Sequence, residues 1–228
     1  MKLVTIAGPP SSGKTAVTIK AVASLRQEGA QIGVVKFDSL STQDQSLYEK
    51  HGIAVTTGLS GNLCPDHFFV SNVGDCLSWG VRNGFDLLVI ESAGLCNRCA
   101  PHIQGVLAVC VIDNLSGVDT PKKIGPMLKM ADVVVITKGD IVSQAEREVF
   151  AYRVRQVNTG AVILNVNGLT GQGGHELGRL LLDAPKTSDL EGKLLRFSMP
   201  AALCSYCLGQ RKIGSDFQMG NVKKMDFP

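Results

Sequence analysis

Residues 3–15 read Leu-Val-Thr-Ile-Ala-Gly-Pro-Pro-Ser-Ser-Gly-Lys-Thr. The first five form a short apolar run of strand type. Gly8 to Thr15 then match G-x-x-x-x-G-K-[ST] in full. Lys14 to Gln27 continue as an amphipathic helix, with Val17, Ala21 and Leu25 on one face and Val22 beside them. A strand that delivers such a loop and a helix that leaves it aim backbone N–H groups and a helix N-terminus at one anion. Lys14 is then expected to reach the terminal phosphates, and the Thr15 hydroxyl to hold a magnesium ion. Gly8 and Gly13 permit torsions that side chains resist, while Pro10, Ser11, Ser12 and Ala16 complete the expected cradle. A glycine-rich turn with no ligand is the rival reading, and it leaves the flanking strand and helix unexplained.

Outward from this stretch, Gly29 closes the helix. Apolar strands are expected at 32–37, 85–90, 106–112, 133–137 and 161–166. Helices are expected at 66–82, 144–157 and 175–182. Residues 39–50 read as loop and short helix, and Gly125-Pro126 leaves 121–130 ambiguous. Continuous apolar strands alternating with helices predict an α/β fold of the P-loop NTPase type. Its mainly parallel sheet is covered on both faces. Right-handed crossovers gather the loops after the strands along one rim. Gly8 to Thr15, Asp38, Glu91 to Gln104, Asp113 and Thr137 to Asp140 are expected there. The P-loop domain is expected over 1–183. Residues 184–228 lose periodicity and read as an irregular, cysteine-containing appendage.

The 228 residues suffice for one large domain with its own core. A net charge of +3 with no Lys/Arg-rich run argues against nucleic acid. No apolar run approaches the ~18 residues of a membrane span. The phosphate loop starts at residue 8, so no signal peptide fits in front of it, and a cytoplasmic protein with reduced thiols is expected. Seven cysteines, an odd number, do not make a disulfide framework; two C-x-x-C pairs point to metal or redox chemistry instead.

Thr137-Lys138-Gly139-Asp140 fits [NT]-K-x-D at the end of a late strand. An Asp140 carboxylate can accept from guanine N1–H and the exocyclic amine, a donor pair adenine lacks, while the Lys138 stem packs over the base. A plain turn is the alternative. Asp38 and Glu91 end strands, and either suits a magnesium ion or the attacking water, or simply caps a turn. Cys64 and His67 lie three apart at an expected helix start, within reach of one soft metal. Cys96 and Cys99 follow Glu91 on a loop, with His102 close by in sequence, and Cys204 with Cys207 is a further two-ligand candidate. A tetrahedral metal needs four donors, so either pairs meet or two subunits each contribute one. A redox dithiol is the rival for either C-x-x-C. Cys76 and Cys110 sit in apolar patterns and read as core; His51 and His175 read as surface.

In order along the chain stand the phosphate loop, Thr57-Gly58, Cys64-Pro65 with His67, and Val89 to Gly94. Val111-Ile112-Asp113, Lys122 to Pro126, Ala131 to Asp140, Asn165-Val166-Asn167 and Thr170 to Gly173 follow. Over residues 1 to about 183 this set resembles the nickel-insertion GTPases that mature hydrogenase and urease. The resemblance implies a GTPase using GTP/GDP and Mg2+. It implies a homodimer through the nucleotide face with a metal at the interface, and delivery to a client metalloenzyme or its maturation factors. Cys64 and His67 match that group's metal-holding Cys-Pro-His element, here with Asp66 inserted, and Asp38 and Glu91 match its magnesium-linked carboxylates. Cys96 and Cys99 are added relative to the urease type, and the tail cysteines have no counterpart. Nickel, zinc or an iron–sulfur cluster would each suit such thiolates. Two other functions remain open at this point: an ATP-dependent iron–sulfur electron-transfer activator, and a nucleotide kinase with structural zinc.

Overall fold

The computed structural model describes residues 1–94, 101–198, 209–218 and 220–228. In chain order the elements are β1 (Lys2–Ala7), α1 (Lys14–Gln27), β2 (Ile32–Asp38), α2 (Asp44–Lys50), β3 (Ala54–Leu59), α3 (Pro65–Arg82) and β4 (Leu87–Glu91). There follow β5 (Leu107–Asp113), α4 (Thr120–Ile124), α5 (Pro126–Lys129), β6 (Val133–Thr137), α6 (Gln144–Val157), β7 (Val162–Asn165) and α7 (Gly174–Leu182). The strands form one seven-stranded sheet in the order β3-β2-β4-β1-β5-β6-β7. Every pairing is parallel, as the unbroken apolar strands predict.

Alternate side chains go to opposite faces. Val4 and Ile6 of β1, Val34 of β2 and Val109 and Val111 of β5 meet Val17, Ala21 and Leu25 of α1 and Leu177 and Leu181 of α7. On the other face, Leu3, Val35, Phe37 and Ile90 meet Phe68, Phe69, Val73 and Trp79 of α3. Cys110, Ile112 and Val134 on that same face pack under Ile124, Leu128, Phe150 and Val154 of α4, α5 and α6. β1 lies between β4 and β5, where the order of connections reverses, so its C-terminal loop opens into the crevice that such sheets use for ligands.

Two elements differ from expectation. β3 is an edge strand, and its sequence Ala-Val-Thr-Thr-Gly-Leu lacks the apolar continuity of the central strands. Residues 120–130 are neither one helix nor a loop. Gly125 adopts φ 61° and splits them into two short helices, the second opened by Pro126.

The described tail carries only isolated bridges and one 3-10 turn, Ser215–Phe217. It packs along α3. Met225 is buried in the α3 cluster, its N–H donates to Asn72 Oδ1, and Lys224 Nζ lies 2.9 Å from Asp75 Oδ2. Leu195 joins the same cluster, bridges Ile103, and donates its N–H to the Arg211 carbonyl.

Candidate functional site

The loop after β1 is held by geometry that glycine alone meets. A β-carbon on Gly8 would stand 2.1 Å from the Val111 carbonyl oxygen of β5. Gly13, at φ 92°, is the N-cap of α1, and no side chain caps that helix. The first-turn N–H groups are therefore directed at the loop, an anion-binding arrangement. Lys14 Nζ donates to the Gly8 and Pro9 carbonyls at 3.0 and 2.9 Å. Burial holds this ammonium below its ordinary pKa; Glu91 opposes the shift and Lys36 adds to it. Ser12 Oγ is buried and has no hydrogen-bond partner among the described residues, the kind of orphan that a phosphate oxygen would satisfy.

Beside the loop, Thr15 Oγ1 lies 2.8 Å from Glu91 Oε1 and 3.1 Å from Asp44 Oδ2. Lys36 Nζ lies 2.7 and 2.9 Å from those same two oxygens. The Tyr48 hydroxyl donates to Glu91 Oε2. Burial and the Glu91 charge push Tyr48 well above the usual phenol range, so it stays a donor. For Lys36, burial pulls the pKa down, but Glu91 and Asp44 outweigh it and the net shift is upward. One hydroxyl and two carboxylates around a single point form an all-oxygen donor set that fits magnesium. Asp38, expected in this role, accepts from the Ser39 N–H at 2.8 Å at the end of β2. Asp44, which makes the contact to Thr15, was not anticipated: it opens a short polar helix and belongs to no motif.

The turn after β6 is tied to the phosphate loop. Thr137 Oγ1 donates to the Ser12 carbonyl at 2.6 Å, and Lys138 Nζ to the Ser11 carbonyl at 2.7 Å. Lys138 holds φ 57°, an uncommon conformation for its type. Gly13, Ala16, Val17, Thr137, Lys138 and Asp140 line one cavity of about 230 Å³, closed by Ile141 and the Asn167-Gly168-Leu169 turn after β7. Ile141 and Leu169 are exposed at its walls. An apolar slot with one carboxylate at its end, opening beside a phosphate loop, suits a flat purine base.

Cys64 is the N-cap of α3 and His67 lies in its first turn, at the rim reached after β3. Burial lowers the His67 pKa to about 4, which keeps the imidazole neutral, the form that ligates metals. Among the described residues, no group of three or more His, Cys, Asp or Glu side chains is arranged around a metal ion. Cys96, Cys99, Cys204 and Cys207 lie outside the described residues. Their flanks are described. A β-carbon on Gly94, at φ 74°, would stand 1.9 Å from the Gly8 carbonyl oxygen and 2.9 Å from Lys14 Nζ. Arg196 N–H donates to His102 O, Gln104 N–H to Leu194 O, and Leu194 bridges Lys212. So the stretches that follow the first C-x-x-C and bracket the second are hydrogen-bonded to each other. His102, near Cys99 in sequence, is not directed at a metal. It is fully buried, with Nδ1 3.2 Å from Thr5 Oγ1 and Nε2 3.1 Å from the Met127 carbonyl. Cys76 and Cys110 are core thiols, as expected, and burial pushes Cys110 up to about 12.

Residues 2–165 match the CobW/HypB/UreG nucleotide-binding domain family. An uncharacterized protein of Methanocaldococcus jannaschii is 46% identical over 226 residues, covering 99% of this chain and 97% of that protein. Urease accessory protein UreG 1 of Saccharopolyspora erythraea is 31% identical over 149 residues, covering 61% of this chain and 59% of that protein. Among solved structures, hydrogenase maturation factor HypB of Archaeoglobus fulgidus superposes with a TM-score of 0.62 at 22% identity, over 79% of this chain and 88% of that one. HypB of Helicobacter pylori, solved in complex with nickel, gives 0.63 at 18% identity, over 80% and 86%. At those identities the superpositions establish the fold, and the match over 2–165 establishes the family. With its phosphate loop, all-parallel sheet and the cavity beside that loop, the chain belongs to the CobW/HypB/UreG family of P-loop NTPases.

Proposed function

We propose that this chain is a GTP-hydrolysing metallochaperone. Nucleotide state governs its hold on a transition metal, nickel-like, or on a metallocofactor destined for a client metalloenzyme or its maturation factors. The observation that carries the reading is the contact of Gly94 with Gly8 and Lys14, two residues before Cys96. Whatever moves the phosphate loop moves the root of the Cys96-x-x-Cys99 segment.

In the triphosphate complex, Lys14 shifts from the Gly8 and Pro9 carbonyls to the phosphate oxygens. The loop N–H groups cradle the β-phosphate, and Asp140 with Lys138 reads the guanine. Thr15 and Glu91 would hold a magnesium ion, with Asp44 and Asp38 as further carboxylates acting directly or through water, and the ion would supply charge neutralisation at the phosphates. This chain's own part in hydrolysis is positioning and fixed charge rather than covalent chemistry. The cargo ligands are Cys64, His67, Cys96, Cys99, Cys204 and Cys207, drawn from one subunit or from two across a homodimer. The hydrogen bonds joining the flanks of the two C-x-x-C segments support a shared site.

The test is anaerobic purification with elemental analysis, followed by competition of GTP against ATP. A bound transition metal and a guanine preference are expected. Equal binding of ATP and GTP would overturn the guanine assignment. Iron with acid-labile sulfide and a preference for ATP would favour the electron-transfer activator instead.

A further inference from the structure

We propose that Lys36 is an internal cation that occupies the carboxylates beside Thr15, so that a divalent ion loads only by displacing it. This rests on the reading of the cluster as the metal-assisted end of a nucleotide site. Lys36 comes from β2, Glu91 from β4, Asp44 from α2 and Thr15 from α1. Lys36 Nζ and Thr15 Oγ1 do not merely lie near the same acids; they share the same two atoms, Glu91 Oε1 and Asp44 Oδ2. The second oxygen of Glu91 is taken by Tyr48. A divalent ion seated on the Thr15 hydroxyl and ligated directly by these acids draws on the very oxygens that the ammonium holds. Magnesium demands a compact oxygen shell, and an ammonium within hydrogen-bond range of the same lone pairs repels it at close quarters.

The burial pattern says where the exchange occurs. The Glu91 side chain is 0% exposed and that of Lys36 5%, whereas that of Asp44 is 28% exposed. The cluster opens to solvent on the Asp44 side, through the first residue of a seven-residue helix. Glu91 thus stays fixed, while the Asp44–Lys36 contact is the one that can open. The consequence is a threshold: with Lys36 in place, its ammonium offsets one of the two carboxylate charges without metal, and divalent affinity is held down until nucleotide phosphates add their own charge.

The probe is Mn2+, with free ion read by electron paramagnetic resonance on the full chain saturated with GDP. Lys36→Gln should bind Mn2+ about tenfold more tightly than the unaltered chain, a coupling of ordinary size between two ligands of one site. Lys36→Arg, which keeps the charge, should not show that gain. Mn2+ affinity equal to or weaker than that of the unaltered chain in Lys36→Gln would overturn the proposal. If Lys36→Gln does not fold, the unaltered chain answers: Mn2+ should speed reductive methylation of Lys36, read by mass spectrometry in the GDP complex. An unchanged rate would overturn the proposal equally. If the unaltered chain does not bind GDP, the nucleotide reading falls, and this inference falls with it.

Discussion

In the proposed function, Asp140 carries the choice of base. Among the described residues, its carboxylate is the only acidic group lining the cavity beside the phosphate loop. Asp140→Asn should weaken GTP binding at least about tenfold, the loss of a paired hydrogen-bond acceptor, and should admit xanthosine triphosphate. Nucleotide competition by fluorescence checks both halves. Gly94→Ala should cost nucleotide affinity by a similar factor, because the added carbon overlaps the Gly8 carbonyl at a positive φ; titration of a fluorescent GDP reads it. His102 gives a pH prediction with a definite sign. Burial lowers its pKa from 6.5 to about 4, so the unfolded chain takes up this proton first. Its share of stability is intact above about pH 6.5 and drains as pH falls towards 4, by about 3 kcal/mol over the interval. Thermal melts should show a shallower acid slope for His102→Gln. At this scale the sequence was legible where spacing encodes chemistry, as in Gly8 to Thr15. It was silent on Lys36, Asp44 and Tyr48, which become neighbours only when β2, α2 and β4 are assembled.

Strands and helices were legible in proportion to their burial. Central strands such as Val133–Thr137 are apolar throughout because both faces are covered, and their residues announce it. β3 pairs on one side only, with β2, and its paired threonines hide it. The split at Gly125 was visible as a break but not as two helices, since each is too short for a period to register. The tail shows no period because side-chain clasps hold it in place of ladders. Arg196 donates from Nη1 and Nη2 to both Asp132 oxygens at 2.7 Å, and also to the carbonyls of Ile103, Val106 and Met130. Arg196→Ala should lower stability by about 2 kcal/mol, the loss of a bidentate pair at a partly exposed site plus its carbonyl contacts. Urea denaturation measures it. The same change removes one tie between the 101–106 and 194–196 stretches, so bound transition metal should fall too, by elemental analysis.

Across the whole molecule, sheet order explains why the candidate groups meet. The switch between β4 and β5 puts the phosphate loop in the crevice, with the Glu91–Gly94 turn on one side and Asp113 on the other. The turn after β6 is hydrogen-bonded to Ser11 and Ser12, so in the proposed function phosphate and base contacts act as one unit. The fold could be read from alternating apolar strands and helices; the sharing of Gly8 and Lys14 between the phosphate loop and the approach to Cys96 could not, because it depends on two loops folding over each other. In the proposed function, that sharing is the physical basis for coupling nucleotide to metal. The most direct measurement is the affinity of the full chain for Ni2+ or Zn2+ in three forms: without nucleotide, with GDP, and with a non-hydrolysable GTP analogue. Affinities that differ by at least about fivefold between the GDP and GTP-analogue forms are predicted. Identical affinities in all three would contradict the coupling.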